Sequence, residues 1–128
     1  MGDKHVIPDF IDRVLNNQFM LYGGNQTRSF LFIADAINAL TRLANSNPSF
    51  RIFNIGSKTE TKIKDLADLI LQRMGINHSI ELRPAPEGSV NRRLPNIFQY
   101  EQLYGPLETI DLQQGIDFVL EWYWKRNH

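Results

Sequence analysis

The order of apolar and polar positions divides this chain into segments of helical and strand period. Val6, Ile7, Phe10, Ile11, Val14 and Leu15 recur at steps of three and four. That spacing predicts a helix over residues 5–17 with one apolar stripe, Pro8 tolerated in its first turn and Asn16-Asn17 ending it. Phe19–Tyr22 is a short apolar run, Gly23-Gly24-Asn25 is turn chemistry, and Ser29–Ile33 reads as a second strand. The two runs predict a hairpin with a loop too long for a tight turn. Asp35 stands where an N-cap or first-turn acid belongs. Ala36, Ile37, Leu40, Leu43 and Ala44 continue with helical period until Asn45-Ser46-Asn47-Pro48 breaks it.

Phe50–Ile55 alternates and stops at Gly56, which predicts a strand. Thr59 or Thr61 then opens a helix carrying Ile63, Leu66, Ala67, Ile70 and Met74, with Gly75 at C′. Lys62 and Lys64 oppose the helix dipole in its first turn. Ser79–Leu82 predicts another strand, and Arg83–Pro95 has no apolar period and is expected to be an irregular loop. A short helix near Ile97–Leu103 and a last one from Asp111, with Leu112, Ile116, Val119, Leu120 and Tyr123 on one face, complete the chain. Trp122, Tyr123 and Trp124 are adjacent and cannot all face one core, so at least one is expected to be exposed or covered by a neighbour. Strands and helices alternate, so the expected class is mixed α/β.

Composition narrows the function. A chain of 128 residues with 42% hydrophobic and 11% aromatic residues can fill one core, so residues 1–128 are expected to form a single domain. Fourteen basic and fourteen acidic side chains leave no net charge, and nucleic acid is not an expected partner. The absence of cysteine excludes a disulfide framework and a thiolate nucleophile and fits a reducing cytoplasm, the expected location. No apolar run approaches the ~20 residues that span a bilayer, so no membrane partner is expected. His5, His78 and His128 lack metal-ligand spacing, and no metal site is expected.

Several chemistries lack their carriers. There is no G-x-G-x-x-G, no P-loop, no G-x-S-x-G, no H-E-x-x-H and no Tyr-x-x-x-Lys. Gly23-Gly24 has no third glycine in register and precedes a strand, which makes it a turn. The chain alone does not read as a complete catalyst. What remains is a set of arginines in polar loops, whose guanidinium forks suit phosphate oxygens. Arg28 lies in Asn25-Gln26-Thr27-Arg28-Ser29-Phe30, and Arg92 and Arg93 lie in the irregular stretch. The plain alternative for each is a solvated charge. Asp35 could orient Arg28 or act as a base, but capping is the simpler role; His5 could be a general base, or an ordinary polar residue of a first turn.

Taken in order, these segments resemble the carboxy-terminal half of the extended short-chain dehydrogenase/reductase family, the NAD-dependent nucleotide-sugar epimerases, dehydratases and decarboxylases. The matching pieces are His5-Val6-Ile7-Pro8, Leu21-Tyr22-Gly23-Gly24-Asn25-Gln26-Thr27-Arg28-Ser29-Phe30 through Asp35, and Phe53-Asn54-Ile55-Gly56 with Lys64-Asp65-Leu66-Ala67. Pro86 through Pro95 and Leu112-Gln113-Gln114-Gly115-Ile116 continue the pattern.

The resemblance implies a substrate-binding portion built of small sheets and helices, without the doubly wound NAD domain. It places a nucleotide diphosphate sugar against this chain, with Arg28 and either Arg93 or Arg92 on the diphosphate and Leu21 and Tyr22 along the base. The first helix would follow a loop lining the sugar pocket. NAD, the catalytic Ser/Thr and the Tyr-x-x-x-Lys pair would belong to a missing amino-terminal half, so NAD would serve the full enzyme and not bind this chain. The sequence departs from the family in Asn96, where many members have aspartate, and in Tyr104-Gly105-Pro106-Leu107-Glu108 before the last helix. The competing readings are a stand-alone binding or regulatory module without catalysis, and an interaction domain using the aromatic carboxy-terminal helix.

Overall fold

The computed structural model describes residues 5–49 and 52–127. Its elements run α1 (Val6–Leu15), β1 (Met20–Tyr22), β2 (Thr27–Ser29), α2 (Ile33–Ala44), β3 (Glu60–Lys62), α3 (Ile63–Arg73), β4 (Glu81–Arg83), β5 (Arg92–Arg93), α4 (Phe98–Tyr104) and α5 (Leu112–Asn127). The architecture is mixed α/β, with two small sheets beside five helices.

The helices follow their apolar stripes. α1 buries Phe10, Ile11 and Val14, α3 buries Ile63, Leu66, Ala67, Ile70 and Leu71, and Ile116 of α5 joins the same cluster with Leu21. α3 is central, packing on both α1 and α5. Each of the first two ends by a defined cap. Asn17, at φ 56, takes the left-handed position after α1, and Gln18 N–H donates to Arg13 C=O at 2.8 Å. Gly75, at φ 69, does the same after α3, with Ile76 N–H donating to Leu71 C=O at 2.9 Å.

The strands pair differently from the hairpin that the sequence predicts. β1 lies parallel to β4 in one sheet, while β2 is the centre of a second sheet, antiparallel to β3 and parallel to β5. β2 also starts two residues earlier than predicted. The cause is the turn at Gly23 and Gly24, with φ 87 and 137, which carries the chain from one sheet to the other. Gln26 closes that turn by accepting the Gly24 N–H at 2.8 Å. The carbonyls of Gln26 and Gly24 then accept the N–H groups of Ile63 and Lys64 at 2.9 and 3.0 Å. The N-terminus of α3 is thereby capped by main chain, although Lys62 at the N-cap offers no side-chain cap. Thr61 does not open this helix; it belongs to β3. Lys64 relieves its conflict with the dipole by pairing with Asp68 at 2.6 Å.

Two other predictions need correction. Of the strand expected over 50–55, Phe50 and Arg51 lie outside the described residues, and 52–55 is not a strand. Alternation alone does not make a ladder, and no strand of the described residues pairs with this segment. Asn54 Nδ2 instead donates to Asn96 C=O at 3.1 Å, and Ile52 is 80% exposed. The stretch 83–95 is not wholly irregular, since it holds the end of β4 and all of β5.

Apolar surface also lies outside the core. α2 turns Ala39 inward, yet Ile33, Ile37 and Leu40 form an exposed row along it. No helix of the described residues is long and apolar enough to cross a membrane.

Candidate functional site

The second sheet sorts its side chains onto two faces. Residues in register on neighbouring strands project to the same side, and successive residues alternate. Thr27 is in register with Lys62 and with Arg92, and Arg28 is in register with Thr61 and with Arg93. Ser29 pairs with Glu60 and shares the Thr27 face. On that face Glu60 accepts a bidentate pair from Arg92, at 2.8 and 3.0 Å, and a hydrogen bond from the Thr27 hydroxyl. The Arg92 hydrogen bonds, then that of Thr27, hold the Glu60 carboxyl below the usual carboxylate range.

The opposite face carries Thr61, Arg28 and Arg93 and no acidic strand residue. Arg28 is fixed there by two main-chain carbonyls, donating through Nη1 to Thr27 C=O at 2.7 Å and through Nη2 to Val90 C=O at 2.8 Å. Neither acceptor is charged. Burial, and then the like charge of Arg93, push the Arg28 guanidinium below its ordinary pKa. Arg93 is exposed and has no ion-pair partner among the described residues. Arg28 and Arg93 are thus brought together, and Arg92 is taken away from them by Glu60. The irregular loop, the turn and β2 combine to do this, because Asn91 C=O accepts the Thr27 N–H at 2.8 Å and starts the β2–β5 register.

Leu21 and Tyr22 divide in the same way. Leu21 is 6% exposed and its side chain lies in the core. The β1–β4 ladder binds the main chain at Phe19, whose C=O accepts the Glu81 N–H, and at Gly23, whose N–H donates to Arg83 C=O. In a parallel pair the same strand edge serves Leu21, so the peptide groups of Met20 and Tyr22 face away from β4. Leu21 thus offers a ligand neither side chain nor main chain on that free edge. The Tyr22 ring is exposed between two guanidinium groups, Arg13 at 5.1 Å and Arg83 at 5.9 Å from its centroid.

Asp35 neither caps α2 nor reaches Arg28. The N-cap is Phe32, and the buried Asp35 carboxylate accepts the Ile110 N–H at 3.0 Å, tying α2 to the approach of α5. Asn96 takes over a cap, its Oδ1 accepting the Phe98 N–H at 3.0 Å at the start of α4. His5 is the exposed N-cap residue of α1 and makes no side-chain cap. Trp122 and Trp124 are 53% and 67% exposed, while Tyr123 packs against the core. Sequence reasoning missed Glu60, Thr61 and the Val90 carbonyl. Strand alternation around Thr61 was the available signal, and the expected helix start hid it.

The turn at Gly23 and Gly24 is not a dinucleotide cradle. Such a site needs main-chain N–H groups free at a helix N-terminus behind a glycine-rich turn. The turn holding Gly23 and Gly24 instead presents carbonyls to α3 and consumes its first N–H groups.

Known proteins share this fold. Residues 1–56 match the NAD dependent epimerase/dehydratase family. UDP-glucuronic acid decarboxylase 1 of Xenopus tropicalis is 32% identical over 127 residues, covering 98% of this chain and 30% of that protein. The Danio rerio protein of the same name is 30% identical over 125 residues, covering 96% of this chain and 30% of its own length. Among solved structures, UDP-glucose 4-epimerase from Thermotoga maritima, determined with UDP-glucose, superposes with a TM-score of 0.86 at 22% identity, over 99% of this chain and 41% of that one. The dTDP-glucose 4,6-dehydratase of Bacillus anthracis, determined with NAD, gives 0.82 at 22% identity, over 94% and 39%. The chain therefore spans 30–41% of the length of these proteins. Family match, near-complete coverage by relatives and shared fold together make this chain a member of the NAD-dependent epimerase/dehydratase family, corresponding to a portion of its longer relatives.

Proposed function

We propose that the chain is the nucleotide-sugar-binding, carboxy-terminal portion of an NAD-dependent nucleotide-sugar epimerase, dehydratase or decarboxylase, and that it is not catalytic alone. The single observation that carries this reading is the in-register pair Arg28–Arg93 on a face with no acidic strand residue. Two guanidinium groups so placed repel each other until an anion lies between them, and a diphosphate supplies that charge with geometry suited to both forks. The diphosphate does not react in such enzymes, so its binding energy serves to position the sugar. Tyr22 is assigned to the base, by its exposed ring and its outward peptide group. Leu21 supports it from the core.

NAD and the proton-transferring residues are assigned to polypeptide outside this chain. The exposed row Ile33, Ile37 and Leu40 and the exposed Ile52 are the surfaces offered to that part. The rival reading, a binding or interaction module using the last helix, has one observation in its favour, the exposure of Trp122 and Trp124. Titration with UDP-glucose followed by NMR separates the two. The reading expects the Arg28 and Arg93 Nε–H resonances to shift and saturate. Shifts confined to Trp122 and Trp124 would replace it with the module.

A further inference from the structure

The face that carries the two arginines has a third donor. Thr61 is the antiparallel partner of Arg28, so their Cβ atoms lie about 4.5–5.5 Å apart on one side of the sheet. Across the order β3-β2-β5 the row reads Thr61, Arg28, Arg93. Glu60 and Lys62, the neighbours of Thr61, project from the other face. The half-buried Thr61 makes no side-chain hydrogen bond among the described residues, whereas Thr27 across the sheet is engaged by Glu60. The Arg28 guanidinium is tethered to Val90 C=O, just ahead of β5, and so covers the β2–β5 side of the row. The β3 side is left to Thr61.

We propose that Thr61 donates its hydroxyl to the second of two adjacent phosphates, making the row selective for a diphosphate over a single phosphate. This rests on the arginine site proposed above and adds to it. One phosphate is satisfied between Arg28 and Arg93. A second, bridged to the first and lying toward β3, the strand ~4.8 Å from β2, meets a neutral donor that adds no further repulsion to the cationic pair. The ligand class is a nucleoside diphosphate, with the monophosphate disfavoured.

The test is calorimetric titration of inorganic pyrophosphate and inorganic phosphate into the protein and its T61V, T61A, T61S and R93A variants, with urea midpoints measured for each. The inference expects T61V to weaken pyrophosphate about 10- to 100-fold, the size of one hydrogen bond to a charged group, with phosphate changed less than about twofold. T61S restores the pyrophosphate affinity, and T61A stands in for T61V should valine unfold the sheet. Equal loss for both anions, or none, overturns the role of Thr61 while R93A still weakens pyrophosphate. If R93A also has no effect, the arginine site itself is overturned.

Discussion

Arg28 and Arg93 are register partners on parallel strands and project from the same face of their sheet, whereas Arg92, one residue away, is paired to Glu60 on the other. The relationship turns an open choice between two arginines into a geometric one. It also means that the unliganded protein holds two like charges side by side.

That repulsion has a cost that can be measured. Like charges directly opposed across a ladder destabilise by roughly 0.2–1 kcal/mol. Arg93→Gln is therefore expected to raise the thermal midpoint of the unliganded protein slightly and to abolish the further rise caused by pyrophosphate. Calorimetry with and without pyrophosphate checks both. A variant that is less stable without ligand, or is still stabilised by it, contradicts the account.

Glu60 gives a pH dependence. Its folded pKa is depressed by Arg92 and then Thr27, so the contribution of its ionised form is present above the ordinary glutamate value of about 4.3 and lost as pH falls through the lower folded value. Glu60→Gln removes that dependence. The urea midpoints of wild type and variant are expected to differ most near pH 7 and to converge at acid pH. A constant gap between pH 7 and pH 3 would show that the carboxylate charge is not what matters.

A Cβ placed on Gly56 would collide with the Pro95 ring, two residues beyond β5. Gly56→Ala is expected to cost about 1–3 kcal/mol, the range for an overpacked site, and to weaken pyrophosphate as well by displacing the chain two residues after Arg93. Denaturant unfolding and a binding titration on the same variant test the two halves of this statement. Unchanged stability would show that Pro95 moves aside freely.

The helices were the legible part of the fold. Apolar stripes in α1, α3 and α5 and the cap residues Asn17 and Gly75 are local signals, and they specify local structure. Strand pairing was not legible, because β1, β3 and β4 have three residues each and β5 two, and their partners lie far off in sequence. Gly23-Gly24 announced a turn, but not that its carbonyls would cap α3 and send β2 to a second sheet. In the candidate site, guanidinium chemistry pointed to Arg28, Arg92 and Arg93 together. Only the alternation of β5 against β2, with Glu60 waiting on one face, separates Arg93 from Arg92. The family resemblance put Leu21 with Tyr22 along the base, whereas pleating sends the Leu21 side chain into the core.

The most direct measurement is isothermal titration of a UDP-sugar into the protein and three variants. Arg28→Ala and Arg93→Ala are each expected to lose about 1.5–3 kcal/mol of binding free energy, the range for charge-assisted hydrogen bonds, while Arg92→Ala changes it by less than about 0.5 kcal/mol. An Arg92 variant that loses as much as the other two, or Arg28 and Arg93 variants that bind as wild type does, would contradict the shared-face clamp.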